Sequence, residues 1–354
     1  MPIPLPSDHR LHGPRLVLTL LAVIASLVVA CGTAATPRPS TPPDATGSLV
    51  APATATPAQS ASAAAAFPVD LTGDDGKAIT LTSEPAKVVS LTPAETEILY
   101  AIGAGDKVVG KVEDLANFPP EAAKVPVVGT FTGVDVEKIV SLGADLVIAG
   151  GNGGTPQDAI DKLRQLKIPV LVVYASDVAG AFDDIELTGR AVGESEAATA
   201  LVATMQDGFD QVGAATASVA KPKVFYETGD QPSIYGIADG SVYAEMITLA
   251  GGEPVTTGST TNWEMPVEKL VTADPDLIIL GDSAYGVTPE AVAKRPGWAG
   301  ISAVKAKAIK GIDDIVVTRP GPRLVDGLLL LVAAIHPELG LGGPSSPSAA
   351  PSGG

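Results

Sequence analysis

Apolar and polar positions are unevenly distributed along the chain. Residues 16–30, LVLTLLAVIASLVVA, are almost wholly apolar and follow Arg10 and Arg15. Fifteen residues are short for a bilayer span but suit the core of a signal peptide, predicted over 1–30. Residues 32–66 are mainly Ala, Thr, Pro and Ser. Such a segment has too little apolar surface to fold, so 31–66 reads as a linker spanning roughly 33 Å if it behaves as a flexible coil. From 67 to 340 short apolar runs alternate with amphipathic stretches, and 341–354 return to Gly, Pro and Ser as a disordered tail.

Within the patterned region, Pro68–Leu71 and Ala78–Leu81 flank a GDDG turn and predict a hairpin. KVVSL (87–91), KVVGK (107–111) and PVLVVY (169–174) read as buried strands. Thr92-Pro93-Ala94-Glu95 opens a helix as a capping box, with Thr as N-cap, Pro at N1 and Glu at N3. A further helix is expected near 156–167. Residues 178–220 lack Pro, and their apolar spacing predicts one long or once-broken helix, weakened at Gly189 and Gly193 by about 1 kcal/mol each. The alternation then resumes with KVFYE (223–227), a helix over 241–250, AIKGI (308–312) and a closing helix over 321–336. Short strands alternating with helices imply an α/β fold with parallel sheets.

One helix–strand segment occurs twice. VEKIVSLGADLVIAG (136–150) and VEKLVTADPDLIILG (267–281) are identical at eight of fifteen positions. Two copies 131 residues apart imply two similar lobes, 67–177 and 221–340, joined by the helical segment 178–220. Open α/β sheets bind ligands beyond the carboxyl ends of their strands, so the cleft between two facing lobes is the expected site.

Charge and motifs narrow the function. The formal net charge is −17 and no Lys/Arg cluster is present, which argues against a nucleic-acid partner. The sequence has no GxSxG, HExxH or P-loop, and no Cys–His pair in the patterned region, so it offers no enzyme signature. Glu264 and Asp282 are carboxylates whose spacing demands no glycosidase pair. The single cysteine, Cys31, excludes an internal disulfide.

Val28-Val29-Ala30-Cys31 resembles a bacterial lipobox, which implies lipidation at Cys31 and a membrane-anchored, extracytoplasmic protein. The patterned region resembles the metal-chelate class of ABC-importer solute-binding proteins, which take cobalamin, ferric siderophores or haem. The resemblance rests on KVVSLTPAETEILYAIGAGDKVVG (87–110), FPPEAAKVPVVG (118–129), VDVEKIVSLGADLVI (134–148), EMITLAGGEPV (245–255), PVEKLVTADPDLII (266–279), RPGWAGISAVKAKAI (295–309) and RPGPRLVDGL (319–328). It implies two Rossmann-like lobes joined by a long rigid helix, with limited closure on a ligand. It also implies a monomer that works with an ABC permease dimer and its ATPase. No cofactor or resident metal is expected. Glu137 and Glu268, at matching points of the repeat, are the residues the resemblance places against the permease, although Glu in a first helical turn is favoured by the helix dipole alone.

Loops after strands supply the ligand-site candidates: Thr92, Phe131, Thr132 and Asn152 in the first lobe, and Tyr226, Tyr235, Trp263, Glu264 and Tyr285 in the second. Phe131 and Trp263 precede Glu137 and Glu268 by six and five residues, and aromatic faces from both lobes suit a flat corrin. Cobalamin is therefore favoured, with an iron–siderophore next. A haem site needs an axial ligand. Of the three tyrosines above, any keeps haem open, while His336 in AAIHPEL reads as structural. Arg319 and Arg323 are candidates for an anionic chelate. Trp298 reads as core. The alternative to transport is a ligand-sensing or haem-binding lipoprotein without a permease.

Overall fold

A computed structural model describes residues 67–130 and 133–341. The chain opens with a hairpin, β1 (Val69–Thr72) and β2 (Ala78–Leu81). The first lobe follows with β3 (Val88–Ser90), α1 (Pro93–Ala101), β4 (Val108–Val112), β5 (Val127–Thr130), β6 (Gly133–Val134), α2 (Val136–Leu142), β7 (Leu146–Gly150), α3 (Gln157–Gln165) and β8 (Val170–Val173). Two helices come next, α4 (Val178–Val192) and α5 (Ser195–Thr216). The second lobe holds β9 (Lys223–Glu227), α6 (Val242–Leu249), β10 (Glu253–Pro254), α7 (Val267–Ala273), β11 (Leu277–Leu280), α8 (Pro289–Val292), α9 (Ser302–Ala306), β12 (Ile309–Gly311), α10 (Asp314–Thr318) and α11 (Leu324–Ile335).

The first sheet has the order β6-β5-β4-β3-β7-β8 and the second β10-β9-β11-β12. All pairings are parallel except the edge pair β5–β6. Strands β7, β8 and β11 are buried at every residue, as strands covered on both faces must be, and this is why they read as unbroken apolar runs.

The repeat occupies equivalent places. In each lobe its strand pairs in parallel with the lobe's first strand, β7 with β3 and β11 with β9. The repeated aspartates explain part of the identity. Asp145 accepts hydrogen bonds from the N–H groups of Ala86 and Lys87 (2.9 Å each), and Asp276 accepts one from Lys223 (2.9 Å). Each pins the entry of the first strand beside it. The helix of the repeat ends in a left-handed residue in both copies, Gly143 (φ 70°) and Asp274 (φ 48°). Asp274 offsets the strain by accepting hydrogen bonds from Ser302 N–H (2.7 Å) and Oγ (2.9 Å).

The segment 178–220 is two helices, broken once. Gly193 takes φ 82° between them, and a side chain at Gly189 would collide with Ala198 of α5. The two glycines that weaken the helical pattern thus end one helix and let the next pack on it. Helix α5, about 33 Å long at 1.5 Å per residue, also packs against α6 and α11 of the second lobe. Phe182 and Phe209 meet edge-to-face across α4 and α5 (5.7 Å). The largest core runs through both lobes by way of these helices, from Leu71, Ile98 and Leu146 to Ile279 and Leu331. A smaller core lies under each sheet alone, and Trp298 sits fully buried in that of the second lobe against Phe225. His336 is also buried, its Nε2 3.1 Å from the Gly251 carbonyl oxygen.

Candidate functional site

The carboxyl ends of the two sheets frame a cavity of about 470 Å³. The first lobe contributes Thr92 to Glu95 after β3, Gly150 to Asn152 after β7, and Tyr174 after β8. The second contributes Tyr243 of α6, Trp263, Tyr285 beyond β11, Asp314 of α10 and Arg319. Thr92, Asn152, Trp263, Tyr285 and Arg319 are therefore brought together as expected from the sequence. Asn152, at φ 50°, donates from Nδ2 to the hydroxyl oxygen of Tyr174 (2.9 Å).

The two lobes bring aromatic rings to the cavity from opposite sides. Tyr174 is 43 % exposed and Tyr285 73 %, both at the mouth with Leu115. Trp263 meets Tyr243 edge-on at 5.6 Å, and Tyr243 stacks on Tyr226 at 6.2 Å. Phe131 and Thr132 lie outside the described residues, as do Cys31, the signal peptide and the linker.

Four expected ligand contacts are off the cavity wall. Tyr226 is fully buried on β9 beneath Tyr243, with its hydroxyl 3.3 Å from Asp314 Oδ1. Tyr235 is held in bridge pairing with Gly229 and Glu264, and Glu264 is exposed; neither lines the cavity. Arg323 is drawn away by Glu97: Nε and Nη2 donate to its carboxylate at 2.8 and 2.7 Å, with the guanidinium 3.9 Å over the Phe118 ring.

Arg319 shares that partner. Its Nη1 donates to Glu97 Oε1 (2.8 Å), and Nη1 and Nη2 both donate to Asp114. Glu97 and Asp114 belong to the first lobe and the arginines to the second, so the cluster is a cross-lobe clasp with equal numbers of opposite charges. Burial opposes the Asp114 charge, but Arg319 and the N–H groups of Phe118 and Ala116 outweigh it and hold the carboxyl below its usual range. Neither arginine is free for an anionic ligand.

Glu95 corrects the capping-box reading. Its N–H does donate to Thr92 Oγ1 (3.1 Å), but its carboxyl turns inward, 2 % exposed, and accepts from Thr188 Oγ1 of α4 (3.0 Å). Burial pushes it up to about 7, against the Thr188 hydrogen bond. Asp184, one turn before Thr188, is raised to about 9 by burial and then by Glu95 and Asp74. Burial also lifts Asp314 to about 6, and lifts Glu227 to about 7 despite the Arg295 ion pair. Glu95, Asp184, Tyr174, Tyr243 and Asp314 were missed as cavity residues. Tyr174 alone carried a signal, as the polar end of a buried strand.

These raised carboxyls set a sign for stability. Between about pH 4 and the raised values the folded state binds more protons than the unfolded chain, so stability falls as pH rises. The unfolding midpoint is expected to drop from pH 5 to pH 9, and to drop less in Glu95→Gln and Asp184→Asn. A midpoint that climbs over that range contradicts the assignment.

Glu137 and Glu268 are exposed in the first turns of α2 and α7. Val140 and Val271, one turn on, are among the large apolar residues most open to solvent.

Comparison with known proteins decides the class. The family described as periplasmic binding protein matches residues 88–316. The chain belongs to that family. As a periplasmic binding protein it is a ligand carrier of an ABC transporter and not an enzyme. It is 36 % identical over 277 residues to YvrC of Bacillus subtilis, an uncharacterized ABC transporter substrate-binding lipoprotein, covering 77 % of this chain and 87 % of that one. It is 29 % identical over 293 residues to a cobalamin-binding protein of Halobacterium salinarum, covering 79 % and 78 %. Among solved structures, the periplasmic vitamin B12 binding protein BtuF of Vibrio cholerae superposes with a TM-score of 0.62 at 26 % identity, covering 71 % of this chain and 96 % of that one. A haem-binding protein, BhuT, superposes with a TM-score of 0.65 at 22 % identity, covering 73 % and 100 %, which is a likeness of fold.

Proposed function

We propose that this periplasmic binding protein is anchored through Cys31, captures a corrinoid between its lobes and delivers it to a permease dimer. The observation that carries the reading is the cavity between the sheet ends, with Tyr174 facing Tyr243, Trp263 and Tyr285 from the other lobe. Flat apolar faces with polar edges are what a corrin needs. The cavity is smaller than a whole corrinoid, so part of the ligand would rest at the mouth against Leu115, Tyr174 and Tyr285. The relatives that bind cobalamin support the choice. Arg319 and Arg323, held by Glu97 and Asp114, speak against an anionic siderophore. Haem is the second reading, because Tyr285 offers an exposed phenol at the mouth.

The test is a fluorescence titration of the purified protein with cobalamin, a hydroxamate and a catecholate ferric siderophore, and haem. The two tryptophans separate well: Trp263 lines the cavity and Trp298 lies in the core. Saturable quenching by cobalamin is expected. Trp263→Ala is expected to weaken it by about tenfold or more, as loss of a buried aromatic anchor does. Unchanged affinity removes Trp263 from the site, and preference for an iron chelate overturns the ligand while leaving the carrier role.

A further inference from the structure

Of the eight identities between the two copies of the repeat, the fold accounts for six. Val136 and Val267, Leu146 and Leu277, and Ile148 and Ile279 pack into the cores. Asp145 and Asp276 pin the neighbouring strands. A side chain at Gly150 would collide with Thr92, and one at Gly281 with Tyr226. Lys138 Nζ donates to the Val127 carbonyl oxygen (2.7 Å), and Lys269 Nζ lies against Gly258, where any side chain would meet it. Two identities are left, Glu137 with Glu268 and Val140 with Val271. All four side chains are exposed, Val140 at 46 % and Val271 at 36 %. Among the described residues no hydrogen bond or ion pair engages either carboxylate. The hydroxyls that follow the valines, Ser141 and Thr272, donate back to the carbonyl oxygens of Lys138 and Glu268 (2.7 Å each) and so serve their own helices. Glutamate and valine stand three residues apart and are neighbours on one helix face, in α2 of the first lobe and α7 of the second. An exposed valine adds nothing to the core and is a mediocre helix former, so folding does not account for its presence twice.

We infer that Val140 and Val271 are apolar anchors of the permease contact, each set beside its glutamate so that one Glu–Val pair per lobe meets each half of a permease dimer. The inference rests on the delivery role proposed above. A pattern copied on two lobes matches a partner that offers one surface twice, as a two-fold dimer does. Neither pair lines the cavity between the sheets, so ligand binding does not explain them.

The complement of such a pair is a basic side chain beside an apolar hollow. In the first lobe Glu137 borders a cavity of about 380 Å³ whose other charged residues are Asp135, Asp158 and Lys162, an excess of acid that suits a basic side chain. Val127, also exposed, adds apolar area beside α2. The same acids would repel a bilayer surface of anionic headgroups. Charge and apolar contact then divide the work. The glutamates steer encounter and are screened by salt, whereas burial of the valines holds the docked state and is not.

The test is binding of the full protein to the ABC permease–ATPase complex of the same cells, held in lipid nanodiscs, at low and at high salt. Val140→Ser/Val271→Ser is expected to weaken docking about tenfold or more at both salt concentrations, from the apolar area that two half-exposed valines bury. The unfolding midpoint and the titration with cyanocobalamin are expected to stay unchanged. Glu137→Gln/Glu268→Gln is expected instead to lose most at low salt and little at high salt. Val140→Thr/Val271→Thr, which keeps the branched shape, repeats the measurement with a smaller loss. Native docking by the serine variant, beside impaired docking by the glutamine variant, overturns this inference and leaves delivery intact. Equal binding to nanodiscs without the permease assigns the valines to lipid, and self-association that the serine variant loses assigns them to a second copy; either result overturns it too. Failure of the native protein to bind the complex overturns the delivery role as well.

Discussion

Replacing Arg319 with Ala is expected to lower the free energy of unfolding by about 3–5 kcal/mol, the cost of leaving buried partner charges uncompensated. Its side chain is 13 % exposed, and Glu97 and Asp114, its partners, are 1 % and 4 % exposed. Removing the guanidinium leaves Arg323 to hold Glu97 and leaves Asp114, among the described residues, with the backbone N–H groups of Ala116 and Phe118. Such a loss takes a large share of the 5–15 kcal/mol typical of a folded domain. Arg319→Lys recovers only part of it, since an ammonium cannot reproduce the forked donation to two carboxylates. Neutralising one charge on each side, with Arg319→Met and Asp114→Asn, leaves the Arg323–Glu97 pair intact and is expected to restore more stability than either change alone, because no charge is then left uncompensated. Urea unfolding measures all of these. A loss below about 1 kcal/mol in Arg319→Ala is the behaviour of an exposed ion pair and contradicts the clasp.

Reversing charge at both Glu137 and Glu268 is expected to abolish uptake while ligand affinity stays unchanged. Both side chains are exposed on equivalent helices, one per lobe, and neither lines the cavity between the sheets. A permease dimer offers two like surfaces to two like helices. Each exposed ion pair contributes little by itself. Lysine at both places sets like charges against a complementary surface, and that penalty falls on encounter and register. Single reversals are expected to give intermediate uptake. Transport by whole cells, read beside titration of the purified double variant, checks the claim. Normal uptake in the double variant ends the docking role, and lost ligand binding shows that the helices serve the lobes instead.

Much of the fold was legible because its signals are local. Strands such as LVIAG and LIIL are buried on both faces and read as apolar runs; Thr92 and Pro93 start a helix from their own side-chain and ring geometry. The repeat exposed the two-lobed plan, and Gly189 and Gly193 marked where the long helical segment breaks. The β5–β6 edge and α8 to α10 went unseen, since elements of two to five residues carry too few positions for a period to show.

The sequence by itself determined the class of this protein: two α/β lobes from one repeated unit, a helical segment between them, and equivalent glutamates on each. Only the tertiary structure decided which polar and aromatic side chains meet. Tyr226 fell beneath Tyr243 because β9 is buried in the middle of its sheet. Arg319 and Arg323 turned from the ligand to Glu97 and Asp114, more than 200 residues away in the chain. Glu95 passed from a helix cap to the base of the cleft because Thr188 of α4 lies across from it. Periodicity fixes the face a residue presents, whereas the partner on that face is set by long-range packing, which no local pattern encodes.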